Sequence, residues 1–137
     1  VKFKYKKNYY KRFLQFEKKI EIVKLKIINF VDTMKSQNKI VVGLGAATKG
    51  NTLLNFCKFN KKHIKYILES SPHKIGKFTP GSGIPIVDEK KFKNYNAILI
   101  LPWNITKHLY KKFLQNKNIS YISIAKIASK ISTNKKR

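Results

Sequence analysis

Short apolar runs alternate with helix-like segments along this chain, and that alternation constrains its fold more than any other feature. Five runs rich in Ile, Val and Leu have the length of buried strands, namely residues 39–45, 64–69, 84–87, 97–101 and 119–123. Helical patterns lie between some of them, at residues 48–59 and about 105–116. Strands that alternate with helices form a parallel sheet with crossover connections. We therefore predict an α/β fold, a parallel sheet flanked by helices.

A long amphipathic helix is predicted before the first strand. Apolar residues recur there at alternating spacings of three and four, which place them on one side of a helix: Phe13, Phe16, Ile20, Val23, Ile27, Phe30 and Met34. Additional apolar residues make this stripe wider than a coiled-coil seam, so we expect the helix to pack against its own domain, with a coiled coil as the alternative. Residues 1–12 are basic and aromatic without a clear period, and we expect them to form an arm.

The length of 137 residues suits one domain with a real core. We predict a basic arm and long helix over residues 1–38, the α/β domain over residues 39–129, and a disordered basic tail over residues 130–137. No run approaches the roughly 20 apolar residues of a membrane helix, and no signal peptide is visible. The single cysteine, Cys57, is expected to be buried in the core. We expect a cytoplasmic protein without a metal or a membrane partner.

The charge of the chain allows two interpretations. Its 31 Lys and Arg residues against 6 Asp and Glu give a net charge of +25, which is typical of nucleic-acid binders. Only Arg12 and Arg137 are arginines, however, and the lysines are spread along the chain among many Asn and Ile residues, as an AT-rich gene produces. We therefore favour codon bias over nucleic-acid binding. The positive field still attracts small anionic ligands.

Three loops are predicted to meet at one edge of the sheet. They follow predicted strands and include the richest Gly and Pro stretches of the chain, at residues 45–51, 70–83 and 102–104. In parallel sheets, ligands bind beyond the carboxyl ends of the strands. A site at this edge is therefore expected.

The first loop, GLGAATKGNTLLN over residues 43–55, approaches two phosphate-binding motifs and fulfils neither. The pattern G-x-x-x-x-G-K-[ST] requires a lysine where Asn51 stands, and G-x-G-x-x-G requires a glycine where Thr48 stands. Glu69, at the end of the next strand, keeps dinucleotide binding open because such an acid can bind a ribose hydroxyl. The glycines, the helix N-terminus and Lys49 favour a phosphate or a carboxylate in either case.

The other two loops offer further polar and aromatic groups. His73, Lys74 and Lys77 make the second loop cationic, and His73 is a candidate proton carrier or anion contact. In the third loop, Trp103 can stack on a base or sugar, or simply cover the sheet edge. Asn104 can bind a ligand or cap the next helix.

Together the loops resemble the signature blocks of one enzyme family. Residues 45–55 (GAATKGNTLLN) are similar to its first block, residues 71–74 (SPHK), 76–78 (GKF) and 80–86 (PGSGIPI) to its second, and residues 101–104 (LPWN) to its third. The chain is thereby identified as resembling the C-terminal domain of S-adenosylmethionine-dependent nucleotide-sugar C-methyltransferases. The resemblance runs from about the first helix to about the last strand.

The resemblance implies a Rossmann-like fold and a place within a larger enzyme. In that family, a zinc-binding cysteine domain and a central domain that binds S-adenosylmethionine and supplies the catalytic base come first. This chain shows neither a cysteine cluster nor a second α/β unit, so we expect it to be the substrate-side domain, with no catalytic residue and no cofactor of its own. The implied partners are the catalytic domain and a nucleotide-linked sugar. The implied substrate contacts are Lys49, Gly50, Asn51, His73, Lys77, Trp103 and Asn104.

The chain departs from the family pattern at two positions. Gly83 stands where a bulkier polar residue is frequent, and Glu69 stands where Asp is frequent. These differences leave the choice of sugar open. A stand-alone Rossmann-like module that binds NAD or another nucleotide remains the alternative.

Overall fold

The chain folds into a five-stranded parallel sheet flanked by helices, which confirms the predicted α/β class. The computed structural model describes residues 2–102 and 107–133. The strands are β1 (Val41–Leu44), β2 (Ile67–Glu69), β3 (Ile86–Asp88), β4 (Ala97–Ile100) and β5 (Ser120–Ser123). The helices are α1 (Lys2–Ser36), α2 (Thr48–Phe56), α3 (Lys107–Leu109, continued by a π-helical turn over Tyr110–Leu114) and α4 (Ile124–Thr133).

The strand order β3-β2-β1-β4-β5 places β1 at the centre of the sheet. It pairs in parallel with β2, where Gly43 lies opposite Ile67, and with β4, where Val42 lies opposite Ile98. This is the strand order of the doubly wound folds that bind ligands at the carboxyl edge. The loops that follow β1 and β2 are therefore neighbours in space, together with Leu101 and Pro102, the described residues directly after β4.

The core lies on both faces of the sheet. Side chains from alternate strand positions, such as Ile67 and Leu99, pack with residues of α1, α2 and α4 on one face. The intervening positions, such as Val42 and Ile98, pack with Phe113 of the π-helical turn on the other face. Every residue of β1 and β4 is buried, which explains why these strands are continuous apolar runs rather than alternating ones.

The long helix α1 differs from its prediction in two ways. It begins at Lys2, so most of the segment predicted as an arm is helical, which fits the absence of Gly and Pro from residues 1–40. Its C-terminal half packs on the sheet as predicted, with Ile27 and Val31 fully buried. Residues 8–22 are all exposed, so the expectation that the whole stripe packs against its own domain is wrong for the N-terminal half.

Both α1 and α2 end in the same backbone motif. Asn38, predicted within the segment that ends α1, has a φ of 56°, and Lys39 N–H donates to the Met34 carbonyl. At the end of α2, Lys58 has a φ of 54°, and Phe59 N–H donates to the Leu54 carbonyl. These are Schellman endings, in which a residue with a left-handed conformation turns the chain away. The motif ends α2 three residues earlier than the periodicity predicts.

The remaining elements agree with the sequence to within a few residues. The helix predicted over residues 105–116 is observed from residue 107 to residue 114, with residues 103–106 outside the described part. Helix α4 continues to Thr133, so residues 130–133 of the predicted disordered tail are helical, and the rest of that tail lies outside the described residues. Within the described ranges, no helix combines the length and apolar character needed to cross a membrane.

Candidate functional site

The candidate site is the carboxyl edge of the sheet around β1. The loop after β1 leads into α2, the loop after β2 leads to β3, and Pro102 follows β4. We call this edge the rim. The order β2-β1-β4 makes its three segments adjacent, as the sequence predicts.

The side chain of Glu69 joins the first two segments of the rim. One carboxylate oxygen accepts a hydrogen bond from the backbone N–H of Ala46 at 2.8 Å. The other accepts from the N–H groups of Ser70 and Ser71 at 2.8 and 3.0 Å. The Lys74 ammonium then donates to the Ala46 carbonyl at 3.0 Å. Both backbone polar groups of Ala46 are thus bound by side chains from the end of β2 and from the loop that follows it.

This network determines the charge state of Glu69. Burial by itself would raise the pKa of Glu69, but the N–H groups of Ala46, Ser71 and Ser70, aided by the Lys74 ammonium, outweigh it and hold the pKa below its usual value. The carboxylate is therefore ionised at neutral pH and faces the backbone of its own loops. A ribose hydroxyl, the partner expected from the dinucleotide hypothesis, would have to compete with these three donors.

Two glycines of the first segment are required by packing. Gly45 has a φ of 83°, and a Cβ atom there would lie 3.0 Å from Cγ of Pro102. A Cβ atom on Gly50 would lie 2.6 Å from Cβ of Leu101. The G-x-x-x-x-G spacing that resembles a P-loop therefore serves close contact with the end of β4.

The first two residues of α2, Thr48 and Lys49, are exposed, in contrast to the buried Gly50. Ala47 occupies the position before the helix, where a Ser, Thr, Asp or Asn side chain usually caps, and alanine cannot do so. Lys49, in the first turn, is exposed, and Asn51 is half-buried. The positive end of the helix and the lysine suit an anion.

Asn55 connects α2 to the second segment. Its side-chain amide donates to the Pro80 carbonyl and to the Asn51 carbonyl, each at 3.0 Å. Gly81, with a φ of 77°, packs directly on this side chain, since a Cβ atom there would lie 2.5 Å from Oδ1. The last asparagine of the GNTLLN motif thus anchors the tip of the long loop.

The long loop between β2 and β3 is held by its own hydrogen bonds. The buried hydroxyls of Thr79 and Ser82 lie 2.5 Å apart, and the Thr79 hydroxyl accepts from Ile84 N–H. Ile86 N–H donates to the Lys77 carbonyl at 2.8 Å. The loop therefore has a defined path, which presents His73, Lys77 and Phe78 to solvent.

The predicted contact residues differ in their exposure to solvent. Lys49, His73 and Lys77 are exposed on rim segments, whereas Gly50 is buried against Leu101. Trp103 and Asn104 lie outside the described residues.

The sequence analysis did not assign roles to Asn55, to Phe78 or to Lys74 as a bridge to Ala46. Phe78 is 66% exposed beside Lys77, which makes its ring a candidate surface for a base or sugar. The sequence signal that could have identified Phe78 is its position as an aromatic residue inside a Gly- and Pro-rich loop.

Other polar features of the domain lie apart from the rim. A cavity of about 430 Å³ is formed by α1, β5 and α4. In its wall the Lys126 ammonium lies 4.0 Å from the centre of the Tyr121 ring and donates to the Tyr121 carbonyl.

Cys57 is buried as predicted, and burial raises its pKa to about 11 despite nearby Lys24. Among the described residues, no three His, Cys, Asp or Glu side chains are grouped as metal ligands.

Comparison with known proteins gives two findings. The profile of a family described as "C-methyltransferase C-terminal domain" matches residues 4–122. A curated relative, C-methyltransferase NovU of Streptomyces niveus, is 32% identical over 107 residues, which cover 74% of this chain and 26% of the relative. The chain therefore spans about a quarter of that relative's length.

Proposed function

Since this chain belongs to the C-methyltransferase C-terminal domain family, we propose that it is the substrate-side domain of an S-adenosylmethionine-dependent enzyme that methylates a nucleotide-linked deoxysugar. The catalytic domain, which holds S-adenosylmethionine as the methyl donor, is a partner outside this chain, on the same polypeptide or on another. The family match over residues 4–122 carries the methyltransferase part of this proposal. The rim carries the assignment to the substrate side.

The charge of the rim supports binding of a sugar nucleotide. Its exposed basic groups include Lys49, His73 and Lys77, and the negative charge of Glu69 is already compensated by backbone N–H groups and Lys74. A diphosphate carries negative charge that the α2 N-terminus and Lys49 can bind. Phe78 and Asn51 supply a ring face and an amide for the sugar or the base.

In this proposal, the methyl transfer itself takes place in the catalytic domain. There, a base would take up the proton from the carbon next to the sugar ketone, and S-adenosylmethionine would supply the methyl group that replaces it. This domain contributes by holding the diphosphate and by covering the sugar, which fixes its orientation and excludes water.

Calorimetric titration tests the proposal. A dTDP-linked ketodeoxysugar, NAD and ATP are titrated separately into this chain alone and into this chain mixed with its catalytic polypeptide. We expect heat from the dTDP-sugar in the mixture and none from ATP. Absence of dTDP-sugar binding in both samples would contradict the proposal. Binding of NAD by the chain alone, without binding of the dTDP-sugar, would identify a dinucleotide module instead.

A further inference from the structure

The N-terminal half of α1 carries an uncovered apolar stripe. Tyr9, Phe13, Phe16 and Ile20 are spaced four, three and four residues apart, which places them on one side of the helix. Their exposed fractions are 76%, 49%, 60% and 36%. We call these four residues the exposed stripe.

The same stripe continues into the C-terminal half of α1, where the domain covers it. The spacing runs on through Val23, Ile27, Phe30 and Met34, and these residues pack in the core cluster. One continuous pattern is therefore buried over half of its length and bare over the other half. Within the part of the chain that the structure describes, no element packs on the bare half, because every residue from 8 to 22 is exposed.

A helix in this position needs a partner. At a rise of about 1.5 Å per residue, residues 2–22 extend about 30 Å beyond the packed half. Most helical stability in proteins comes from packing of the apolar face, and residues 8–22 lack that packing here. Contiguous exposed apolar surface of this kind marks an interaction site.

Family membership indicates where the partner lies. The family profile starts at residue 4, so the exposed stripe belongs to the C-terminal domain as the family defines it. The match leaves 74% of the length of the Streptomyces niveus relative outside it, since it covers 26%. In that relative, a large region therefore accompanies this domain.

Charge indicates what the partner surface looks like. Residues 8–25 contain five basic and two acidic side chains, a net charge of +3 on a chain with a net charge of +25. Pairing with a second copy would bring two such helices together against their repulsion. An apolar groove bordered by acidic side chains would attract them.

We infer that the exposed stripe docks into an apolar, acid-bordered groove on the catalytic domain of the same methyltransferase. This inference rests on the proposed function, which supplies the catalytic domain as a partner. Docking there covers Phe13, Phe16 and Ile20 and holds the rim over the active site of that domain. The stripe is thus the structural link between substrate binding and catalysis.

A matched pair of substitutions tests the inference. Phe16 and Leu25 are 60% and 62% exposed, and their nine-residue separation places them on opposite sides of α1. Phe16→Ser and Leu25→Ser therefore remove similar exposed apolar surface, but only the first removes it from the stripe. Binding of each variant to the S-adenosylmethionine-binding polypeptide encoded with this domain is measured by sedimentation or by surface plasmon resonance.

We expect Phe16→Ser to weaken this binding about tenfold or more, as loss of a buried aromatic at an interface does. Leu25→Ser is expected to stay within about twofold of wild type, and added salt is expected to weaken the wild-type complex. Equal affinity of the two variants, in a mixture that still transfers methyl groups, would overturn the docking inference and leave the proposed function standing. A wild-type mixture that neither associates nor binds the dTDP-sugar would overturn both.

Two controls address other occupants of the stripe. If this chain sediments as a dimer that Phe16→Ser dissociates and Leu25→Ser does not, a second copy covers the stripe and the inference is wrong. If phosphatidylserine vesicles bind the wild-type chain and the Leu25→Ser variant but not the Phe16→Ser variant, a membrane surface covers the exposed stripe and the inference is wrong. If the chain is monomeric and does not bind the vesicles, the result supports docking on the catalytic domain.

Discussion

The carboxylate of Glu69 accepts a hydrogen bond from the backbone N–H of Ala46 at 2.8 Å and thereby joins the end of β2 to the loop after β1. The same side chain holds the first residues of the long loop, Ser70 and Ser71. An acid in the position where dinucleotide-binding folds hold a ribose therefore organises the rim itself. We therefore expect the first two rim segments to behave as one unit whose shape depends on this contact.

Replacement of Glu69 by Gln tests that dependence through pH. The folded pKa of Glu69 lies below its ordinary value of 4.5, so its contribution to stability is present above about pH 4.5 and is lost as pH falls through the lowered pKa. We expect Glu69→Gln to cost about 1–2 kcal/mol near pH 7, because an amide NH₂ must face backbone donors. The cost should shrink towards pH 3, measured by urea unfolding. Glu21→Gln, at an exposed position of α1, should show neither effect. A pH-independent cost would contradict the assigned role.

Replacement of Gly50 by Ala tests the packing origin of the P-loop-like spacing. In an ordinary helix this change stabilises by about 0.5–1 kcal/mol. Here the new Cβ would meet Cβ of Leu101 at 2.6 Å, so we expect a loss of about 1–3 kcal/mol in the free energy of unfolding. Thermal and urea unfolding decide the sign. A stabilised variant would show that α2 and β4 can separate without cost.

Replacement of Asn55 by Ala tests the anchor of the long loop. The variant loses the hydrogen bond to the Pro80 carbonyl, so the tip of the loop should open more often. Hydrogen exchange at the amides of Gly83 and Ile84, which bond to Thr79, should accelerate about tenfold while exchange in β1 stays unchanged. Thr52→Ala, an exposed change on the same helix, is the control. Equal protection in the two variants would mean that Asn55 does not hold the loop.

The sheet and its order of elements could be predicted because the signals are local. Continuous apolar runs such as residues 97–101 bury both faces of a strand, and Pro102 directly follows this run. The position of the rim loops followed from topology alone. Helix ends were less predictable, since Lys58 ends α2 through a left-handed conformation that the apolar period does not reveal.

The internal contacts of the rim could not be predicted because they join residues far apart in sequence. Gly50 meets Leu101, and Asn55 meets Pro80, across separations that no motif spacing encodes. The exposure of Phe16 was missed for a related reason. Periodicity shows that one side of α1 is apolar, and it does not show which element covers that side.

The central claim is that the rim binds the anionic part of a nucleotide-linked sugar, and Lys49 tests it most directly. Calorimetry compares dTDP-sugar affinity in the complete enzyme for wild type, Lys49→Ala and Lys62→Ala. Lys62 is exposed in the turn before β2, at the opposite edge of the sheet, so its loss changes the net charge equally. We predict that Lys49→Ala weakens binding about tenfold, as loss of one charge-assisted phosphate contact does, and that Lys62→Ala stays near wild type. Unchanged affinity in Lys49→Ala, or an equal loss in both variants, would contradict the claim.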